Sequence, residues 1–316
     1  MDHGTVIEAT KAVVTLDIAL PGIIWGWMIT LNMWAKSIGT GVVLVGAFLL
    51  HRHKKEEMPN LRWLMPLISF IALNIFLFFT LIDLHQPLRM INIFLHPHWT
   101  SAITVGAWMA SLFTGLIMLM AVIGAFDAFP DFRRHCSIAK SVRAKSSLYE
   151  KVFPFVVFLA LPVTMYTAII MAQSSARELW VGAPELIQML LAAFMVGSAS
   201  LILISEKWSA EVKKDLAMIL AFSVAFSFTM YMGEYFFSFK AAEVEATLAF
   251  VHSGGAYNVQ FWFAMVLGFI IPFFIAKGSM TNYNPTLMRF AAVTTLIGLY
   301  MAKDVWLKIP QLLPLS

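Results

Sequence analysis

Residues 83–99 read DLHQPLRMINIFLHPHW and close a long apolar run with an acid, an arginine, three histidines and two prolines. A carboxylate and a guanidinium at the mouth of an apolar helix can do one of two things. They can relay protons, or they can pin the following loop with a salt bridge. A second polar set lies earlier, where Asn32, Lys36 and Thr40 recur at i, i+4 and i+8 and so share one helical face. Lys36 falls near the middle of its apolar segment, so it requires a carboxylate, a ligand oxygen or the loss of its charge. The competing reading is a lysine that reaches the interface along its own stem, or one paired for structure alone. Asn74 and Asp83, Tyr166 and Gln173, Glu185 and Gln188, and Tyr231 and Glu234 complete the polar residues within apolar segments. Asp83, Gln173, Glu185 and Glu234 fall near segment ends, where solvation by headgroups explains them equally well. Tyr166 and Tyr231 also suit an aromatic belt.

The elements that position these groups follow from composition. Sixty per cent of the 316 residues are hydrophobic and only 13% are charged, which excludes a soluble protein with one large core. The apolar segments run about twenty residues without strand-like alternation, so the expected fold is an all-α integral membrane protein. Eight transmembrane helices are expected at roughly 23–50, 63–83, 101–126, 152–173, 184–206, 215–238, 257–277 and 286–307. Most of the 22 Lys and Arg residues fall after the first, third, fifth and seventh spans. Because such residues stay on the cytoplasmic side, both termini are expected on the outer, periplasmic side together with the 83–99 loop. Residues 1–22 form an outer-face segment that suits an interfacial helix and lacks the basic start and cleavage site of a secretory signal. Four and four spans allow a first bundle over 23–173, a second over 184–307 and an outer tail over 308–316.

Histidine placement excludes one function class. A membrane subunit carrying b-haem needs paired histidines inside its spans, whereas all eight histidines here fall in loops or at span ends. His85, His96 and His98 could gather a metal at the outer face, but no acidic support accompanies them, and no metal site is expected. A single cysteine, Cys136, is too few for a disulfide, an iron–sulfur cluster or a zinc site. No basic stripe with interleaved aromatics suggests nucleic acid. The 20 methionines scatter over all faces and read as core filler.

The run IDLHQPLR (82–89), followed by a short loop and then TSAITVGAW (100–108), resembles the NrfD-type family, whose best-understood member is the polysulfide reductase membrane subunit. Members pair an acid at the end of this helix with an arginine six positions on, here Asp83 and Arg89 with Pro87 between. They then open the next helix on a Gly-Ala-Trp, here Gly106, Ala107 and Trp108. The SIGTG of the first span, Ser37 to Gly41, is similar to the family's small-residue packing motif. Five residues before it, Asn32 stands where the polysulfide reductase subunit has a histidine. Counting back from ARELW, Tyr166 matches a tyrosine that touches the quinone ring, and Arg177 matches an arginine beyond it. The likeness spans roughly residues 25–180.

The resemblance implies two four-helix bundles without a redox centre of their own, in a bacterial inner (cytoplasmic) membrane. It also implies a bound, exchangeable menaquinone or ubiquinone beside a ferredoxin-like iron–sulfur subunit. That subunit is attached in turn to a molybdopterin catalytic subunit or a multihaem cytochrome c. A quinone headgroup wants an aromatic wall and one donor at each oxygen. Tyr166 and Asn32 are the expected donors, and Lys36 is a cation able to stabilise negative charge on the ring oxygens. Trp108 and Arg177 complete the cofactor-binding set. Asp83 is the expected proton relay with Arg89 orienting it, and the histidines and prolines of the loop shape a docking surface. A deeper proton route through Asn74, Lys36, Ser111 and Tyr231 is a further expectation. The rival readings are a secondary transporter or channel of eight spans, and an inert membrane anchor.

Overall fold

The computed structural model describes residues 22–84, 86–129, 147–174, 177–237 and 241–313. The expected interfacial helix, the outermost part of the tail, His85 and Cys136 lie outside the described residues. Among the described residues eight helices are long and apolar enough to cross a membrane: α1 Trp27–Arg52, α2 Leu61–Asp83, α3 Ala102–Ala128, α4 Ser147–Ala172, α5 Ala183–Ile204, α6 Ala210–Phe236, α7 Asn258–Ser279 and α8 Pro285–Lys308. The described residues include no strand. Consecutive spans run in opposite directions, which leaves a terminal end, where α1 starts and α8 finishes, and an opposite end.

Helix limits depart from the hydropathy segments where polar residues continue a helix past its apolar stretch. The α6 helix starts at Ala210 and not near 215, because Ser209 caps it by accepting from the Val212 N–H at 3.4 Å. Lys213 and Lys214 therefore mark an apolar boundary inside a continuing helix. In α7 the residues Val266–Ile270 form a π turn directly ahead of Pro272. Proline has no N–H to donate and crowds the preceding turn, and the wider π turn absorbs both defects.

Each helix packs on particular neighbours. The α1 helix lies against α2, α4 and α5, and α3 bridges α2 and α4, while α5 lies against α6 and α8, and α7 bridges α6 and α8. The tightest seam joins α1 to α5: a Cβ on Gly41 would sit 2.0 Å from the Ala193 carbonyl oxygen, and one on Gly197 would sit 2.4 Å from Gly41 backbone. Lipid provides no hydrophobic drive between helices, so close backbone approach over small residues supplies the contact. The SIGTG motif serves two seams, because Gly39 faces α2, where the Ser69 hydroxyl donates to the Gly39 carbonyl at 2.6 Å. Large apolar side chains such as Phe78, Phe158, Phe226 and Phe274 point outward, as expected when the solvent is lipid.

Polar clamps close both ends. At the opposite end Asp215 of α6 accepts from Arg52 at 3.1 Å and meets His53 at 2.8 Å. Beside it Glu57 accepts from the Lys54 N–H and the Ser209 hydroxyl, and these two donors hold its carboxyl below the usual carboxylate range. At the terminal end Gln311 accepts from the Ile24 and Trp25 N–H groups, each at 2.9 Å. Its amide nitrogen donates back to the Trp25 carbonyl at 3.0 Å.

Candidate functional site

Lys36 is fully buried, nine residues into α1. Its ammonium donates to the Thr164 carbonyl of α4 at 3.0 Å and to the Thr167 hydroxyl, and it stands 4.7 Å from the centre of the Tyr166 ring. A cation in hydrocarbon needs such partners: a carbonyl dipole, a hydroxyl and a ring face together replace part of its hydration. A stem stretched to the interface does not describe this side chain. Lys36 turns across the bundle onto α4.

Tyr166 is positioned by the Gly-Ala-Trp motif. A Cβ on Gly106 would lie 2.4 Å from the Tyr166 ring, so only glycine lets that ring lie flat on α3 backbone. Phe76 of α2 meets the same ring at 6.5 Å with its edge. Three helices thus converge on the tyrosine that Lys36 covers.

Asn32 lies one turn above Lys36 and is buried. Its amide nitrogen donates to the Phe76 carbonyl at 3.0 Å and to the Thr80 hydroxyl, both on α2. The donor expected for a quinone oxygen is therefore engaged within the fold, and Asn32 here braces α2 against α1. Phe76, Thr80 and Asp83 form one stripe along α2 at i, i+4 and i+7, which sets Asp83 at the terminal end of the same face.

The remaining expected site residues separate from this cluster. Arg89 sits on an exposed 3-10 turn, Pro87–Ile91, in the connection after α2. Trp108 turns away, because two residues along a helix rotate it to nearly the opposite side from Gly106. It is 40% exposed and packs on Phe94 at 5.5 Å and Trp99 at 5.8 Å in the loop after α2. Arg177 begins the connection between α4 and α5, where its carbonyl accepts from the Trp180 N–H at 2.9 Å. Asn74 and Ser111 are exposed on the outside of the helices, so the deeper route expected through them is not assembled. Tyr231 is not a belt residue: it is buried between Phe269 at 5.6 Å and Trp306 at 5.0 Å.

Sequence reasoning missed Thr164 and Thr167, whose hydroxyl and carbonyl groups are invisible as partners until α4 meets α1. It also passed over Lys303, Asp304 and Gln260 near the terminal end. Asp304 is buried and accepts from Thr30 and Gln260 at 3.0 Å each and from Lys308 at 2.7 Å. The i, i+4 pair Asp304 and Lys308 was the legible signal there. Among the described residues no three His, Cys, Asp or Glu side chains converge as metal ligands.

A multi-pass helical membrane protein with a buried lysine laid over a tyrosine is the class that the fold and site define. The family model for polysulphide reductase, NrfD, matches residues 19–311, and the chain belongs to that family, the membrane subunits of polysulfide reductase-type complexes. No curated protein matches the chain.

Proposed function

We propose that this chain is the quinone-reactive membrane subunit of a respiratory oxidoreductase. The observation that carries the reading is the Lys36 ammonium held over Tyr166 by Thr164 and Thr167, in a family of such membrane subunits. When bound, a menaquinone or ubiquinone supplies a carrier of two electrons and two protons. The donor set suits it: a phenol, an ammonium and a threonine hydroxyl stand beside aromatic walls from Phe76 and Tyr166.

The Tyr166 hydroxyl would hold one ring oxygen, and Lys36 would stabilise negative charge on it. Asn32 acts at one remove by fixing α2, and with it Phe76, against α1. Asp83, on the same stripe of α2, moves protons between the site and the surface. Arg89, exposed and apart, serves the docking surface together with Trp99 and Trp108.

The wider arrangement belongs to the same proposal. The helices group as a first bundle of α1–α4 and a second of α5–α8, because each set closes a circuit of contacts and the two meet mainly through α1 and α5. The terminal end faces the periplasm of a bacterial inner membrane, since the lysines and arginines flanking the spans concentrate at the opposite end. There a ferredoxin-like iron–sulfur subunit docks and exchanges electrons with a molybdopterin or multihaem catalytic partner.

Quinone binding to the purified subunit in complex with its partner tests the reading. Saturable binding that weakens on the order of a hundredfold in Lys36→Met, and measurably in Tyr166→Phe, is the expected result. Unchanged binding in both variants would leave the chain an inert anchor.

A further inference from the structure

A second polar cluster lies across the α1–α5 seam, at the terminal end between α5, α6 and α8. Glu178, Glu185, Gln188, Glu234 and Trp306 line a cleft there. Glu185 is 7% exposed and borders the cleft, yet among the described residues its carboxylate has no hydrogen bond or direct ion pair. Lys303 is also buried, and among the described residues its ammonium donates to the Met189 sulfur at 3.4 Å. The groups that act electrostatically on Glu185 are Lys303 from α8, Glu234 from α6 and Lys36 from α1; Tyr231 of α6 lies within its field, and Glu178 also lines the cleft. Lys36 in turn lies within the field of both Lys303 and Glu185.

Two features shape what the cleft can hold. Its polar walls suit water and not an apolar ring, and Lys303 repels a metal cation, so the exchangeable species that remains is a proton. Beside the cleft Met33, Met171 and Met189 pack with Trp180, which stacks on Trp25 at 5.2 Å, as a separate apolar cluster.

The two polar clusters also correspond in position. Asn32 precedes Gly41 by nine residues, and Gln188 precedes Gly197 by nine, with the two glycines in contact. As Asn32 braces α1 to α2, Gln188 braces α5 to α6, donating to the Ser227 carbonyl at 3.1 Å and accepting from its hydroxyl at 2.6 Å. In the second cluster, however, the helix face also carries a carboxylate open to the cleft.

We propose that this cleft is a proton port, in which Glu185 exchanges protons with external water and passes them, with Lys303, to and from Lys36. The inference rests on the quinone reading of the Lys36 site. For the proton that leaves that site by this port, the Glu185 carboxylate becomes a carboxylic acid and then returns to carboxylate as water takes the proton. No electron moves through the port. With Asp83 on the α2 side, the site then has one exit for each of its two protons.

The test uses the assembled complex in lipid vesicles. Treatment with N,N′-dicyclohexylcarbodiimide, an apolar reagent that adds to protonated carboxyls, should modify Glu185, read by mass spectrometry, with the yield falling as pH rises. Glu185→Gln should slow quinol-linked electron transfer roughly a hundredfold at neutral pH while leaving quinone affinity within about twofold, and Glu185→Asp should recover part of the rate. Full turnover in Glu185→Gln, or no modification at residue 185 in the native complex, would overturn the port. Modification of Glu185 in a partner-bound preparation that binds no quinone would instead overturn the redox reading of Lys36, which separates the two failures.

Discussion

Lys36 illustrates how a single residue becomes legible only in part. Its depth in the first apolar segment marks it as a group in need of partners, but the partners are a main-chain carbonyl and a threonine hydroxyl 128 and 131 residues away in sequence. Neither type of group stands out in a sequence. Gly106 is the complementary case, since the motif is visible and its reason is not until Tyr166 is seen lying on it. Gly106→Ala is expected to cost about 1–3 kcal/mol and to push the tyrosine ring off its seat, read as a lower melting temperature together with weakened quinone binding. Asn32→Leu is expected to be milder in stability, about 1 kcal/mol, because the Thr80 hydroxyl still donates to the Phe76 carbonyl at 2.8 Å. If Asn32→Leu abolished binding while stability held, the amide would be a direct ligand after all, against the bracing role.

At the scale of elements, the seams between helices carry the architecture. The α1–α5 contact brings backbones together at Gly41 and Gly197, so a side chain there meets carbonyl groups that cannot move aside. Gly41→Leu should destabilise the detergent-solubilised protein by about 3 kcal/mol or more, measured as loss of the monodisperse species on heating. A glycine with open space around it, Gly115, serves as the control, and Gly115→Leu should change little. The turn after α1 offers a pH-dependent test. The Glu57 carboxyl is held below its usual range by donors present only in the fold, so its contribution is complete above the unfolded carboxylate value. That contribution disappears as pH falls through the depressed folded value. The melting temperatures of wild type and Glu57→Gln should therefore differ at neutral pH and converge under acid conditions. A gap that stayed constant with pH would mean that the charge is immaterial.

For the whole molecule, the proposed topology sets both chain ends on the periplasmic side, because the crossings are even in number and the basic residues flank the opposite end. Leu88, 90% exposed at the terminal end, and Glu56, at the opposite end, provide the reading. In a background with Cys136 replaced by alanine, Leu88→Cys should react with a membrane-impermeant maleimide on intact cells. Glu56→Cys should react only after permeabilisation, and the reverse pattern would invert the proposed topology and detach the site from a periplasmic partner.

The sequence by itself determined the solvent, the number and approximate positions of the spans and the family, because each of these depends on composition along one helix or on short motifs read in order. Hydropathy needs no partner helix to be meaningful, and a backbone in lipid has few ways to satisfy its own hydrogen bonds. Tertiary structure decided which polar residues meet. It joined Lys36 to Tyr166, spent the Asn32 amide on α2, turned Trp108 and Asn74 outward, and set the buried carboxylate of Glu185 against a cleft. The physical reason is rotation: a span's depth follows from counting residues, but the face it shows to another helix depends on where small residues let backbones approach, and that is a property of pairs of helices.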